Sequence, residues 1–207
     1  MLPQYPTTIP VEIRDFPKWH RGRETYAVWV LRVGDASILD IFKSAQKHLS
    51  RYLLEPYRRQ PHITLFVCGF LVDAPHYNDD FTSAQLQAQR YVMEQAQCKP
   101  FEIEIGGLNS FASAPFLEVR DPDNGIAHLR EILACGGREF RTAPYRPHLT
   151  VGLYGGAFDS QEVTGHLSEF PSDPIRWKVE SITLATYRAR EIAGPLIYQH
   201  KVSFIQE

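Results

Sequence analysis

Two nine-residue segments carry the residue types that could do chemistry. The first, Pro61–Gly69, reads PHITLFVCG, and the second, Pro147–Gly155, reads PHLTVGLYG. Each has Pro-His, an aliphatic residue, Thr, a second aliphatic residue, and a Gly seven positions after the His. The side chains with reactive or hydrogen-bonding groups are those of His62, Thr64, His148 and Thr150.

This set of side chains is suited to cleavage of a phosphate diester without a metal. The reaction needs a base for the attacking hydroxyl or water and an acid for the leaving oxygen, on opposite sides of phosphorus. Imidazole serves in either role because its ordinary pKa lies near 6.5. Each threonine hydroxyl can donate a hydrogen bond to a phosphate oxygen as negative charge develops.

The evidence that these residues form a functional site comes from the repetition of the pattern. A single His-x-Thr on a strand is weak evidence, because short motifs arise often by chance. Side chains alternate between faces of a strand, so His62 and Thr64 share one face while Ile63 and Leu65 share the other. The same alternation holds in the second segment, whose histidine lies 86 residues after the first. The pattern predicts an internal duplication with both His/Thr pairs facing one cleft.

Arginines precede both segments in a chain of net charge -2. They are Arg58, Arg59, Arg138, Arg141 and Arg146. Arg binds phosphate bidentately, so this placement favours a phosphate site, although any single loop arginine is often simply solvated.

Four of the flanking and aromatic residues are predicted to bind substrate. Two are arginines, Arg59 and Arg146, which lie nearest the histidines in sequence. The others are Tyr145 and Tyr187, whose rings can stack on a base or ribose, or else simply pack in the core.

Periodicity and turn residues predict an α+β chain. The predicted strands are Thr25–Val33, His62–Phe70, Phe101–Leu108, Pro115–Arg120, His148–Tyr154, Arg176–Tyr187 and Leu196–Phe204. The predicted helices are Ala36–Leu54, Thr82–Gln97, one capped by Asp123 or Asn124 and ending at Cys135, and Asp159–Phe170.

Composition narrows the class of protein. With 207 residues, 43% hydrophobic and 22% charged, the chain has the make-up of one globular domain. Its net charge argues against extended binding of duplex nucleic acid. Three widely spaced cysteines favour reduced thiols, and neither a signal peptide nor a membrane span is indicated. We therefore expect a monomeric cytoplasmic protein with no metal or other cofactor.

The two His-x-Thr strands resemble the signature of the 2H phosphoesterase superfamily, which includes RNA 2',3'-cyclic phosphodiesterases and 2'-5' RNA ligase-like proteins. The resemblance extends from about Thr25 to Phe204. It implies one bilobal catalytic domain over residues 1–207, with residues 1–24 as an extra lead-in. The implied fold has two antiparallel-sheet lobes related by a pseudo-twofold axis, with helices outside.

The resemblance also implies site residues and a class of substrate. The catalytic positions would be His62, Thr64, His148 and Thr150. Bacterial ligase-like members usually follow the second motif with Ala-Arg, whereas this chain has Gly152-Leu153, which sets it apart from that subgroup more than from the superfamily.

Three functions follow as hypotheses. The first is a metal-independent phosphodiesterase acting on a 2',3'- or 1'',2''-cyclic phosphate, or on a 2'-5'-linked nucleotide or RNA end. The second is a module that binds phosphorylated nucleotides without turnover. The third is a metallohydrolase, which is disfavoured because no Asp, Glu or His lies at ligand spacing from either motif.

Overall fold

The computed structural model describes residues 1–12, 15–171 and 173–205. The strands are β1 (Thr25–Arg32), β2 (His62–Val72), β3 (Asp80–Thr82), β4 (Phe101–Ser110), β5 (Pro115–Arg120), β6 (His148–Thr150), β7 (Ile175–Val179), β8 (Ser181–Arg188) and β9 (Ile197–Ser203). The α-helices are α1 (Asp15–His20), α2 (Ala36–His48), α3 (Ser83–Gln95), α4 (Gly125–Gly136) and α5 (Ser160–Ser168), preceded by a short 3₁₀ turn at Leu2–Gln4.

The strands form one curled sheet in two halves. Its order is β7-β4-β5-β6-β2-β1-β8-β9, and every neighbouring pair along this path is antiparallel. The halves meet where β6 pairs with β2 through Ile63 and Leu149. About that contact β2 corresponds to β6, β1 to β5, β8 to β4 and β9 to β7. The expected bilobal α+β fold with pseudo-twofold symmetry is confirmed.

The hydrophobic core lies on one face of the sheet, under the helices. Ile63, Leu65, Leu149 and Val151 are each 0% exposed and belong to this core. The helices add apolar side chains spaced three and four residues apart, the spacing of one helical face. These are Ile38, Phe42 and Ala45 from α2, Ile126, Leu129 and Leu133 from α4, and Val163 and Leu167 from α5. On the opposite face a smaller buried cluster, which includes Tyr26, Val30 and Phe70, covers part of the sheet, and the remainder is left for a site.

Caps fix where the helices begin. The Asp35 carboxylate accepts hydrogen bonds from the amides of Ser37 and Ile38, which α2 cannot satisfy internally. Thr82 and Gln85 form a reciprocal capping box at the start of α3. The first cap follows β1 after two residues, so the chain folds straight back over the core face.

Two predicted elements end four or more residues before the position that the sequence indicates. The helix predicted over Ala36–Leu54 ends at His48, because the backbones of Leu53 and Leu54 bond instead to Tyr154 and Leu153. The strand predicted over His148–Tyr154 is regular only to Thr150 for the same reason.

A third prediction joined two strands that belong to different halves. The sequence predicts one strand over Arg176–Tyr187, but the segment is divided at Glu180 into β7 and β8. The first pairs with β4 and the second with β1. The chain thus crosses between halves at this point.

The first residues of the chain lie against the β6 half. The Thr8 amide donates to the Phe158 carbonyl at 2.8 Å, and the Ile9 amide donates to the Ala112 carbonyl at 2.8 Å. In the described ranges, no helix is both long enough and apolar enough to cross a membrane.

Candidate active site

The pairing of β2 with β6 brings the two motifs together. Ile63 lies opposite Leu149, and continuing this antiparallel register places His62 opposite Thr150 and Thr64 opposite His148. Directly opposed Cβ atoms lie about 4.5–5.5 Å apart, and diagonal neighbours about 7–8 Å. The histidines are diagonal neighbours, so both His/Thr pairs share one face of the sheet.

Each histidine is held by the same local bond. Nδ1 of His62 donates to the Gln60 carbonyl at 2.7 Å, and Nδ1 of His148 donates to the Arg146 carbonyl at 2.8 Å. A carbonyl can only accept, so Nδ1 carries the hydrogen in both rings. The neutral rings then keep their lone pair on Nε2, which has no protein hydrogen-bond partner within the described ranges. Each Nε2 is therefore available to a substrate.

The two rings lie in different environments. Burial lowers the pKa of His62 to about 4, and the charge of Arg59 acts in the same direction. Burial also lowers the pKa of His148, helped by the charges of Arg141 and Arg146. In each case the bond to the backbone carbonyl opposes the change. Both rings are partly buried by protein and reach solvent through the site. Because the pKa of each ring is lowered, both are neutral at neutral pH while the site is empty.

Aromatic rings support His148. The Phe111 ring stands nearly perpendicular to the imidazole with centroids 4.9 Å apart, and the Phe116 ring lies 5.4 Å away. Phe116 is the cross-strand partner of Thr150, which places it beside the same pair. No motif in the sequence marks these two phenylalanines, because their position depends on the β5–β6 register.

One cavity of about 400 Å³ contains both motifs. All eight predicted site residues line it: His62, Thr64, His148, Thr150, Arg59, Arg146, Tyr145 and Tyr187. Sequence reasoning did not place Tyr26, Tyr57, Phe111, Arg130 and Glu139 there, although they also line it. The structure thus brings every predicted site residue into one cavity.

Tyr145 acts on the site through Thr64. Its hydroxyl donates to the Thr64 carbonyl at 2.9 Å, and the Arg130 guanidinium lies 3.8 Å from its ring centroid. Burial raises the pKa of Tyr145, so the hydroxyl keeps its proton for this bond. The residue therefore holds the first His/Thr strand in place.

The two arginines predicted to bind substrate differ in how they are held. Arg59 donates from Nε to the Gly194 carbonyl at 3.1 Å and lies 4.1 Å from the ring centroid of Tyr187. Arg146 forms an ion pair with Glu118 at 2.6 Å, and Glu118 is the cross-strand partner of His148. Arg146 is therefore paired with a carboxylate, although its charge still helps burial to lower the pKa of His148.

A group with metal-ligand chemistry lies outside the cavity. His48, His166 and Glu169 bring their ligand atoms within 4.8 Å of one another, and none of them lines the cavity. The two imidazole rings stack with centroids 4.0 Å apart and planes 10° apart. Imidazole lone pairs lie in the ring plane, so two parallel stacked rings do not point at one ion.

Comparisons with known proteins agree with this fold. The family model of the 2'-5' RNA ligase superfamily matches residues 35–191. No curated protein sequence matches the chain. The structure of E. coli LigT with 3'-AMP covers 88% of this chain and 99% of LigT, with a TM-score of 0.60 and 15% identity.

Two further solved structures are similar to about the same degree. E. coli LigT with NADP+ gives a TM-score of 0.58 at 14% identity, covering 89% of this chain and 100% of that one. The protein TT0787 of Thermus thermophilus gives 0.57 at 15% identity, covering 86% and 97%. At these identities the likeness shows the fold.

Proposed function

The chain belongs to the 2'-5' RNA ligase superfamily, and from this premise we propose that it is a phosphodiesterase in which two histidines act as acid and base on one phosphate ester. The substrates we propose are 2',3'- or 1'',2''-cyclic phosphates and 2'-5'-linked nucleotides or RNA ends. One observation carries the proposal: two imidazoles anchored through Nδ1 leave Nε2 free in one cavity, each with a threonine opposite.

The proposed reaction is in-line attack on phosphorus between the two rings. Nε2 of His62 accepts a proton from the attacking water as the new phosphorus–oxygen bond forms. The bond to the leaving oxygen breaks on the far side, and Nε2–H of His148 donates the proton that this oxygen takes up. Thr64 and Thr150 donate hydrogen bonds to the non-bridging oxygens, where charge develops.

The assignment of acid and base follows from the two environments. The pKa of His62 is lowered to about 4 by burial, so this ring stays neutral and can accept a proton. Burial lowers the pKa of His148 too, but without the large shift of His62, so His148 is the ring that takes up a proton more readily. A phosphate anion bound between the rings raises the pKa of both, and His148 gains the proton first.

The structures of LigT with 3'-AMP, NADP+ and ATP support a nucleotide as ligand, because that protein has the same fold. The cavity of about 400 Å³ is large enough for a nucleotide's phosphate and sugar. Membership of the superfamily and the arginines that line the cavity both favour a phosphate ester over other esters.

A second candidate function is binding without turnover, favoured by the fact that both rings are neutral while the site is empty. Turnover separates the two. Purified protein should be incubated with nucleoside 2',3'-cyclic phosphates, a 1'',2''-cyclic phosphate and 2'-5'-linked dinucleotides, with product analysis.

We expect hydrolysis of at least one of these substrates, unchanged by EDTA, because every proposed catalytic group is a side chain. Binding of all of them without any product would leave only the binding module. Loss of activity in EDTA, restored by one divalent metal, would replace the two-histidine mechanism with a metal-dependent one.

A further inference from the structure

The positive charges that line the cavity are unequally compensated. Four arginines line it, and two of them are paired with carboxylates. Arg130 lies 2.8 Å from Glu139, and Arg146 lies 2.6 Å from Glu118. These two pairs contribute little net charge to the site.

The other two arginines have no carboxylate partner within the described ranges. Arg59 is held by the Gly194 carbonyl and the Tyr187 ring, neither of which carries negative charge. Arg141 is exposed and makes no hydrogen bond or ion pair with any part of the chain that the structure describes. Two cations in a partly enclosed cavity repel each other, and bound anions would relieve this repulsion.

Both unpaired cations lie near Tyr187. Phe140, the residue before Arg141, packs against the hydrophobic cluster around Tyr26 and Phe70 that Tyr187 also contacts, and Arg141 and Tyr187 line the same cavity. Burial raises the pKa of Tyr187, while the positive charges of Arg59 and Arg141 oppose that rise. Two charges that act on one hydroxyl must both be close to it.

The backbone of Tyr187 lies further along the sheet than that of Thr64. Thr64 pairs with Val30 on β1, whereas Tyr187 pairs with Tyr26, four residues further along that strand. Four residues of strand span about 13 Å. Besides burial, the charge of Arg59 lowers the pKa of His62, and that of Arg141 lowers the pKa of His148. The two cations therefore line the space between the reacting centre and Tyr187, where a second anion would lie next to the reacting phosphate.

We propose that Arg59, Arg141 and Tyr187 form a second anion subsite, and that the preferred substrate carries a second phosphate besides the ester that is cleaved. This inference rests on the proposed function, because it assumes that a phosphate ester occupies the His/Thr pairs. Guanidinium groups bind phosphate through paired charge-assisted hydrogen bonds. The second phosphate is either a 5'-phosphate on the same nucleotide or the adjacent phosphodiester of an RNA end.

Binding and turnover test the subsite separately. Calorimetric titration compares adenosine 3',5'-bisphosphate with adenosine 3'-monophosphate. We expect the bisphosphate to bind about 10- to 100-fold more tightly, the range of one charge-assisted hydrogen bond. Arg141→Gln and Arg59→Gln should each remove most of this ratio. Arg138→Gln is the matched control, since Arg138 is exposed near Arg141 and does not line the cavity.

Turnover identifies the source of the second phosphate. The kcat/KM values are compared for adenosine 2',3'-cyclic phosphate, its 5'-phosphorylated form, and a dinucleotide ending in the cyclic phosphate. A preference for the second substrate indicates a terminal phosphate, and a preference for the third indicates an RNA backbone.

The outcomes distinguish this proposal from the proposed function. Equal affinities of the wild type for the two adenosine phosphates, or a ratio unchanged in Arg141→Gln, would overturn the subsite even if the protein is an active enzyme. An Arg141-dependent ratio without any turnover would keep the subsite and overturn the enzyme.

Discussion

The strands β2 and β6 carry the same motif in unlike surroundings. β2 has 11 residues and most of its length is buried, whereas β6 has three. His62 and His148 are anchored identically, through Nδ1 and the carbonyl two residues earlier. Arg59, near His62, keeps its charge uncompensated, while Arg146, near His148, is paired with Glu118.

The repeated motif sets the geometry of the two histidines but not their electrostatic surroundings. The Pro-His-x-Thr pattern orients each imidazole ring. The hydrogen bond from Nδ1 to the carbonyl two residues earlier and the alternation of side chains along the strand both depend only on nearby residues. The proton affinity of each ring depends on residues that arrive from other strands. Two copies of one motif can therefore take the different roles of acid and base.

The glycine at the end of each copy shows the same divergence. Gly69 has φ of +113°, and a Cβ there would overlap the Asp79 carbonyl oxygen. A Cβ on Gly155 would lie 3.3 Å from the Leu53 carbonyl oxygen. The first glycine is required by its backbone conformation, and the second only by a tight contact.

The largest expected effect is that of removing either imidazole. His62→Ala and His148→Ala should each lower kcat by at least about 100-fold, the usual contribution of a general acid or base. Steady-state kinetics on the cyclic phosphate that is turned over measures this. Near-normal kcat in either variant, with folding confirmed by circular dichroism, would remove that histidine from the mechanism.

The leaving group sharpens the difference between the two rings. An acid is dispensable when the leaving oxygen departs as a stable anion, so a nucleotide p-nitrophenyl diester should restore most of the activity of His148→Ala. The same substrate should not rescue His62→Ala, which lacks the base. Rescue of His62→Ala alone would exchange the two roles, and rescue is followed by release of p-nitrophenolate.

The threonines should matter less than the histidines. Losing one anion donor costs about 10²–10³ in kcat in a well-formed oxyanion site, and we expect a loss below this range here because Thr64 and Thr150 share one phosphate and the remaining hydroxyl still binds it. Thr64→Ser and Thr150→Ser keep the hydroxyl and are the matched controls. Alanine variants as active as the serine variants would show that neither hydroxyl contacts the phosphate.

The smallest expected effect is the position of the pH optimum. Turnover needs His62 neutral, which holds above its pKa of about 4, and His148 protonated, which holds below a pKa that burial has lowered from 6.5. The kcat/KM profile of the wild type should therefore be a bell with its maximum between about pH 4 and pH 6.5. A profile that still rises above pH 6.5 would contradict these directions.

Much of the site could be predicted from sequence because its geometry is local. Strand alternation places His62 and Thr64 on one face of β2 and Ile63 on the other. The complete burial of Ile63 confirms this arrangement. The repeated frame then locates the second pair without any knowledge of the fold. The prediction of one shared cavity needed only the assumption that the two copies face each other.

The remainder depends on which strands become neighbours. The pairing of Arg146 with Glu118 requires the β5–β6 register, which no sequence pattern near either residue specifies. The break at Glu180 has a similar cause, because the residues on both sides favour strand and only the change of partner separates them. For the same reason, sequence could not show that Arg141 is left unpaired among the described residues.

The most direct test of the central claim is a double-mutant cycle on the two histidines. If His62 and His148 act on one phosphate as a unit, the variant with both replaced by Ala should have nearly the same kcat as the worse single variant, because either loss already stops the concerted step. If instead the two losses multiply, the rings act independently, and the claim that they flank one phosphorus is contradicted.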